Sequence, residues 1–162
     1  MAVKENIITW QKGYSVRLAL IDEQHMNLVR LTNKLFHGCL DGRDSAKDAF
    51  REAIRETVDY VGYHFSTEEK LMERVAYPEL KQHKQEHINF IREVLKQLEE
   101  FNAKKISAPM AFVYFLKDWT LHHIAVSDRK MGDYFLMLQK SGALQKLRLN
   151  VKTDNANRVI IK

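Results

Sequence analysis

Along most of the chain, apolar residues recur at steps of three and four with polar residues between them, the pattern of helices that bury one face. From Asp22 to about Phe36 the stripe passes through positions 21, 25, 28, 32 and 35, predicting a first helix that ends near Gly38. Cys39–Asp44 predicts a turn, and Ser45 with Asp48 three residues on predicts the cap of the next helix. That helix is expected from Ala46 to Arg74, with Phe50, Ile54, Thr57, Val61, His64, Glu68, Leu71 and Val75 facing inward. Pro78 is expected at the first position of a third helix, where its missing N–H costs nothing. This helix runs to about Phe101 and shows Leu80, His83, His87, Phe90, Val94 and Leu98 on one face. After an Asn102–Ser107 loop, Ser107 and Pro109 start a fourth helix carrying Phe112, Leu116, Trp119, His123 and Ser127. Met131, Tyr134, Phe135 and Leu138 predict one more short helix.

Four amphipathic helices with short connections favour an all-α fold, an up-down-up-down antiparallel four-helix bundle. An N-terminal arm over residues 1–19, anchored by Trp10, Tyr14 and Val16, would lie against it. Residues 1–139 are expected to form the bundle with its arm and final short helix. Residues 140–162 change character, with Leu147, Leu149 and Val151 alternating and a β-branched Val159-Ile160-Ile161, and are expected to be a basic tail outside the bundle.

Composition narrows the function. At 162 residues and 45% hydrophobic content the chain can bury one sizeable core. No apolar run approaches the ~18 residues of a membrane span. The opening MAVKENIITWQKGY lacks the basic-then-apolar pattern of a secretion signal, so a cytoplasmic protein is expected. The net charge of +5 lies in the tail: residues 1–139 hold 20 basic and 20 acidic residues, while residues 140–162 hold six basic residues against Asp154. A neutral body argues against nucleic-acid binding. The tail could touch an unidentified acidic protein partner or merely add solubility; a monomer and a small homo-oligomer both remain open. A single cysteine, Cys39, makes neither an internal disulfide nor a thiolate metal site.

The candidate chemistry lies in histidines. His64 with Glu68 and His83 with His87 are i, i+4 pairs on consecutive helices, so each pair stacks on one helix face. His25 and His123 lie on the inward stripes of the other two helices. Burying so many imidazoles and carboxylates unpartnered would cost a few kcal/mol each, a cost that a metal turns into binding energy. Asp128 follows His123 by five residues, about 140° off the face, and reaches the same centre only from an irregular turn. Seven ligand-type side chains exceed one tetrahedral zinc and suit two bridged, six-coordinate ions. Mixed N/O donors without thiolate fit iron or manganese, with zinc and copper left open. His122 and His37 are expected at the surface.

His25 in IDEQH, His64 and Glu68 in HFSTEEKLM, His83 and His87 in YPELKQHKQEH, and His123 and Asp128 in WTLHHIAVSD together resemble the ligand set of the hemerythrin family, most closely its prokaryotic bacteriohemerythrin branch. The resemblance covers roughly residues 10–135. Myohemerythrin, a family member, is itself a type example of the up-down-up-down bundle. The resemblance implies two iron ions bridged by Glu68, Asp128 and an oxo or hydroxo group. His83, His87 and His123 would bind one iron, and His25 and His64 the other, which is left one ligand short for dioxygen. Leu28, Phe65, Trp119 and Ile124 would line the oxygen pocket, and Tyr60 would donate a hydrogen bond near His64. A pocket without acid or base groups favours reversible binding over O–O cleavage. The expected function is therefore reversible dioxygen binding, as a carrier, store or sensor and not an enzyme. The alternatives are a di-iron oxidase or peroxidase, or an oxygen- or redox-dependent signalling module. No histidine has Glu three residues before it, as ferritin-like oxidases require, and no HExxH is present. One departure from the family pattern is Arg17, where a glycine is expected.

Overall fold

The computed structural model describes residues 5–104, 107–147 and 149–161. Lys105 and Ile106 of the expected Asn102–Ser107 loop, the start of the arm, and Arg148 and Lys162 of the tail lie outside the described residues.

Four long helices form the body: α1 (Ala19–Leu40), α2 (Arg43–Arg74), α3 (Leu80–Asn102) and α4 (Ala108–His123). α1 packs on α2 and α4, and α3 packs on the same two, closing the antiparallel four-helix ring that the hydrophobic periodicity predicts. Several boundaries shift for local reasons. α1 begins at Ala19, three residues before the expected start. There the Asp22 carboxylate accepts hydrogen bonds from the Ser15 hydroxyl (2.6 Å) and the Val16 amide (2.8 Å), tying the arm to the first turn. α2 begins at Arg43, because Gly42 reverses the chain with φ 106° and takes the N-cap itself; Ser45 lies inside the helix and caps nothing. Pro78 sits in the turn before α3, whose N-cap is Glu79. On α2 the inward stripe passes through Met72, fully buried, in place of the half-buried Leu71.

The expected fifth helix is a continuation of the fourth. α4 passes through a π turn, Ile124–Asp128, directly into α5 (Arg129–Lys140). A short α6 (Ala143–Lys146) and an antiparallel hairpin of β1 (Val151–Thr153) and β2 (Val159–Ile161) follow. This segment packs in the second apolar cluster and not in the core of the four-helix ring. Leu144, Leu149 and Val159 are buried, and the Val159 amide donates to the Arg17 carbonyl at 2.6 Å. Arg17 adopts φ 62°, the left-handed conformation that a glycine would take without strain, and the strand β2 holds it there. The arm crosses α5 at Gly132, where a Cβ would stand 2.1 Å from the Val16 carbonyl oxygen.

Apolar packing is divided in two. One core holds Leu28, Leu31, Leu35, Phe50, Phe90, Phe112 and Leu116, all from α1–α4. The other holds Val16, Leu18, Ile21, Met72, Ile124, Met131, Phe135, Leu144 and Val159, drawn from the arm, the helix ends, α5 and the tail. On α1 and α2, His25 lies between Ile21 and Leu28 and Glu68 between Phe65 and Met72, residues of the two different sets, and His64 adjoins Phe65 at the edge of the first. A buried polar layer separates the cores.

Candidate metal centre

Each helix of the ring contributes to that layer. His25 comes from α1, His64 and Glu68 from α2, His83 and His87 from α3, His123 from the end of α4 and Asp128 from the end of the π turn. All seven are at least 97% buried. The i, i+4 spacing on α2 and α3 stacks each pair on one face, as the sequence predicts. Asp128 arrives by the local irregularity its spacing demanded. In a π turn the residue five on falls beneath its predecessor, and Asp128 Oδ1 stands 3.1 Å from His123 Nε2.

The imidazoles turn Nε2 inward, toward two carboxylates that each face both ways. Glu68 Oε1 lies 3.7 Å from His25 and 3.6 Å from His64, while its Oε2 lies 3.3 Å from His83 and 3.2 Å from His87. Asp128 Oδ2 lies 3.0 Å from His25, while its Oδ1 faces His83 at 3.3 Å and His123. Two clusters result, His25–His64–Glu68–Asp128 and Glu68–His83–His87–His123, within each of which the donor atoms lie within 4.8 Å of one another. Glu68 belongs to both. Nε2 of His25, His87 and His123, Oε1 of Glu68 and both oxygens of Asp128 are buried without a hydrogen-bond partner. Native interiors rarely leave such atoms unsatisfied. Six of them converging on one layer, with N and O donors and no sulfur, fit a pair of divalent cations.

Three of the outward nitrogens are held by groups that the sequence reading missed, while among the described residues His25 Nδ1 is buried without a hydrogen-bond partner. His64 Nδ1 meets Gln24 Oε1 at 2.8 Å, His87 Nδ1 meets Glu69 Oε1 at 3.0 Å, and His123 Nδ1 meets Glu86 Oε2 at 2.9 Å. The available signal was adjacency: Glu69 follows Glu68 and Glu86 precedes His87, each about 100° round the helix and facing the neighbouring helix. Such partners fix the ring and leave Nε2 free to bind a metal. The Tyr60 hydroxyl, expected near His64, donates instead to the Gln24 carbonyl at 2.6 Å, and its ring lies alongside His64. A cavity of about 30 Å³, room for one water, opens beside His83, Glu86 and Ser127.

Burial and the neighbouring groups act against each other at the ionisable side chains of the layer. Burial pushes the Glu68 carboxyl up, but His64, His25, His83 and His87 outweigh it and hold it well below the usual range. Asp128 is likewise held low, by His123 and His25 against burial and Glu68. Burial alone would lower His25 and His123. The carboxylates beside them prevail, raising His25 to about 9 and His123 to about 10. Burial dominates at His64 and lowers it to about 4.

The family profile described as "Hemerythrin HHE cation binding domain" matches residues 16–135. The chain belongs to the hemerythrin family. Among its curated relatives, the bacteriohemerythrin of Stenotrophomonas maltophilia is 33% identical over 128 residues, 78% of this chain and 80% of that protein. The bacteriohemerythrin of Pseudomonas paraeruginosa is 34% identical over 121 residues, 75% of this chain and 76% of that protein. A crystal structure of wild-type hemerythrin superposes with a TM-score of 0.64 at 24% identity, covering 78% of this chain and 96% of that one, and shows the shared fold.

The hemerythrin-type layer is walled by aromatic rings. Phe65 stacks on His87 with centroids 3.6 Å apart, and Trp119 stacks on His123 at 4.3 Å. Leu28, Phe65 and the half-buried Trp119 share the four-helix core, whereas Ile124 is buried in the other core, across the layer. His122 is exposed, and His37, half-buried, faces the Glu5 carbonyl. Among the described residues no helix is long and apolar enough to cross a membrane.

Proposed function

We propose that this chain is a cytoplasmic protein that binds dioxygen reversibly at a di-iron centre held by His25, His64, Glu68, His83, His87, His123 and Asp128. The observation that carries this reading is the two-way aim of the carboxylates: each turns one oxygen toward the His25 side and the other toward the His83 side. When bound, a pair of irons supplies the two electrons that dioxygen takes up and recovers them on release.

The protein's own contribution is asymmetry and dryness. Two imidazoles, His25 and His64, serve one side and three serve the other, so a small ligand is expected beside His25 and His64. Leu28, Phe65 and Trp119 wall the layer with groups that deliver no proton, and Ile124 backs it from the opposite core. Excluding water and acid from the site favours release of the bound ligand over its reduction. Rings fixed by Gln24, Glu69 and Glu86 hold the donors in place while charge changes. The exposed Lys140, Lys146 and Lys152 are the surface through which the protein would meet an acidic partner.

Anaerobic loading with Fe²⁺ tests the reading. Two irons per chain and an optical spectrum that cycles as oxygen is admitted and removed are expected. Irreversible oxidation, or turnover of a reductant with peroxide, would make the protein an enzyme. Failure to take up two irons would end the di-iron assignment.

A further inference from the structure

The π turn that delivers Asp128 is bracketed by two hydrogen bonds to one atom of α3. Glu86 Oε2 accepts a hydrogen bond from His123 Nδ1 (2.9 Å), the residue just before the turn, and another from the Ser127 hydroxyl (2.5 Å), the residue just before Asp128. A π turn is rare because its wider ring packs less well than an α turn, so it persists where surrounding contacts hold it. If Ile124–Asp128 relaxed to regular α-helix, Asp128 would swing about 140° from the face of His123.

We propose that Glu86 is a positioning residue that keeps this turn wound, so that His123 and Asp128 present their donor atoms to the same pair of cations. Glu86 touches neither cation. It acts through the two residues it holds, one on each side of the turn, and its hold on the turn itself runs through Ser127. This inference rests on the di-iron reading above.

The test is anaerobic Fe²⁺ titration of the full chain, with iron content and affinity measured for wild type, Glu86→Ala, Glu86→Gln and Ser127→Ala. Melting of the metal-free forms checks that each is folded. Glu86→Ala should weaken uptake of at least one ion by about 10–100-fold. Glu86→Gln should stay near wild type, because an amide oxygen accepts both hydrogen bonds as the carboxylate does. Ser127→Ala should fall between. Wild-type affinity in Glu86→Ala overturns the proposal. So does a Glu86→Gln chain as impaired as the alanine variant, since charge and not the hold on the turn would then matter. So does an unaffected Ser127→Ala chain, which also keeps the test alive should Glu86→Ala fail to fold. Wild type that does not take up two ions ends the di-iron reading and this inference with it, whereas the variants bear on the inference alone.

Discussion

The two apolar cores on either side of the polar layer are equally well buried and differently made. Phe50, Phe112 and Leu116 in the four-helix core are wholly inaccessible, and so are Met131, Phe135 and Leu144 in the other. The first is assembled from stripes on four long helices, each legible from its own periodicity. The second gathers short pieces that lie far apart in the chain: the arm, α5, α6 and β2, joined where the Val159 amide meets the Arg17 carbonyl. Local pattern suffices for a surface that one helix presents whole. It does not suffice where several segments each contribute one or two residues.

The comparison can be broken at its strongest point. Phe50 stacks on Phe101 at 4.2 Å and meets Phe112 edge-on, so Phe50→Ala should cost about 3–5 kcal/mol in denaturant unfolding. Leu144→Ala should cost about 2–4 kcal/mol by the same measurement, although it lies in the tail. A loss below about 0.5 kcal/mol would mean that the tail only rests on the body, and the two cores would not be equivalent.

The layer between the cores supplies a third prediction. A histidine whose folded pKa is raised stabilises fully below its unfolded value and loses that stabilisation as pH rises through the folded value. With His25 near 9 and His123 near 10, the metal-free protein should lose several kcal/mol as pH rises from 7 to 10. The iron-loaded protein should not, because its ligand nitrogens have already lost those protons. Melting temperatures of both forms across that range decide it, and parallel curves would contradict the proposed ligands. The smallest effect is expected at the joint of the second core. Arg17→Gly should raise stability by about 1 kcal/mol in the same unfolding assay, by relieving the left-handed backbone. A loss there would mean that the arginine side chain contributes more than the strain costs.

Much of the layer was legible beforehand. Placing His25, His64, Glu68, His83, His87 and His123 needed only helical spacing, because i, i+4 stacking is a property of one helix. Asp128 needed more. Its five-residue offset announced an irregular turn without saying which, and the π turn depends on contacts with Glu86 across the interface. Gln24, Glu69 and Glu86 escaped notice because a polar residue 100° from the inward stripe looks like any solvated side chain until the neighbouring helix is in place. The packing of the tail was not legible for a related reason: its alternating residues signal an extended strand but not the surface it covers.

The amino-acid sequence by itself determined the number and sense of the long helices, the face each buries and the ligand-type residues on those faces, since all of these follow from the period of a single element. Only the tertiary structure decided that the arm and tail close a second core, that the fourth helix widens into a π turn, and that outer polar groups aim three of the imidazoles. Those features are set by contacts between segments far apart in the chain, such as Arg17 and Val159, 142 residues apart, and no local pattern encodes the distance between two such partners.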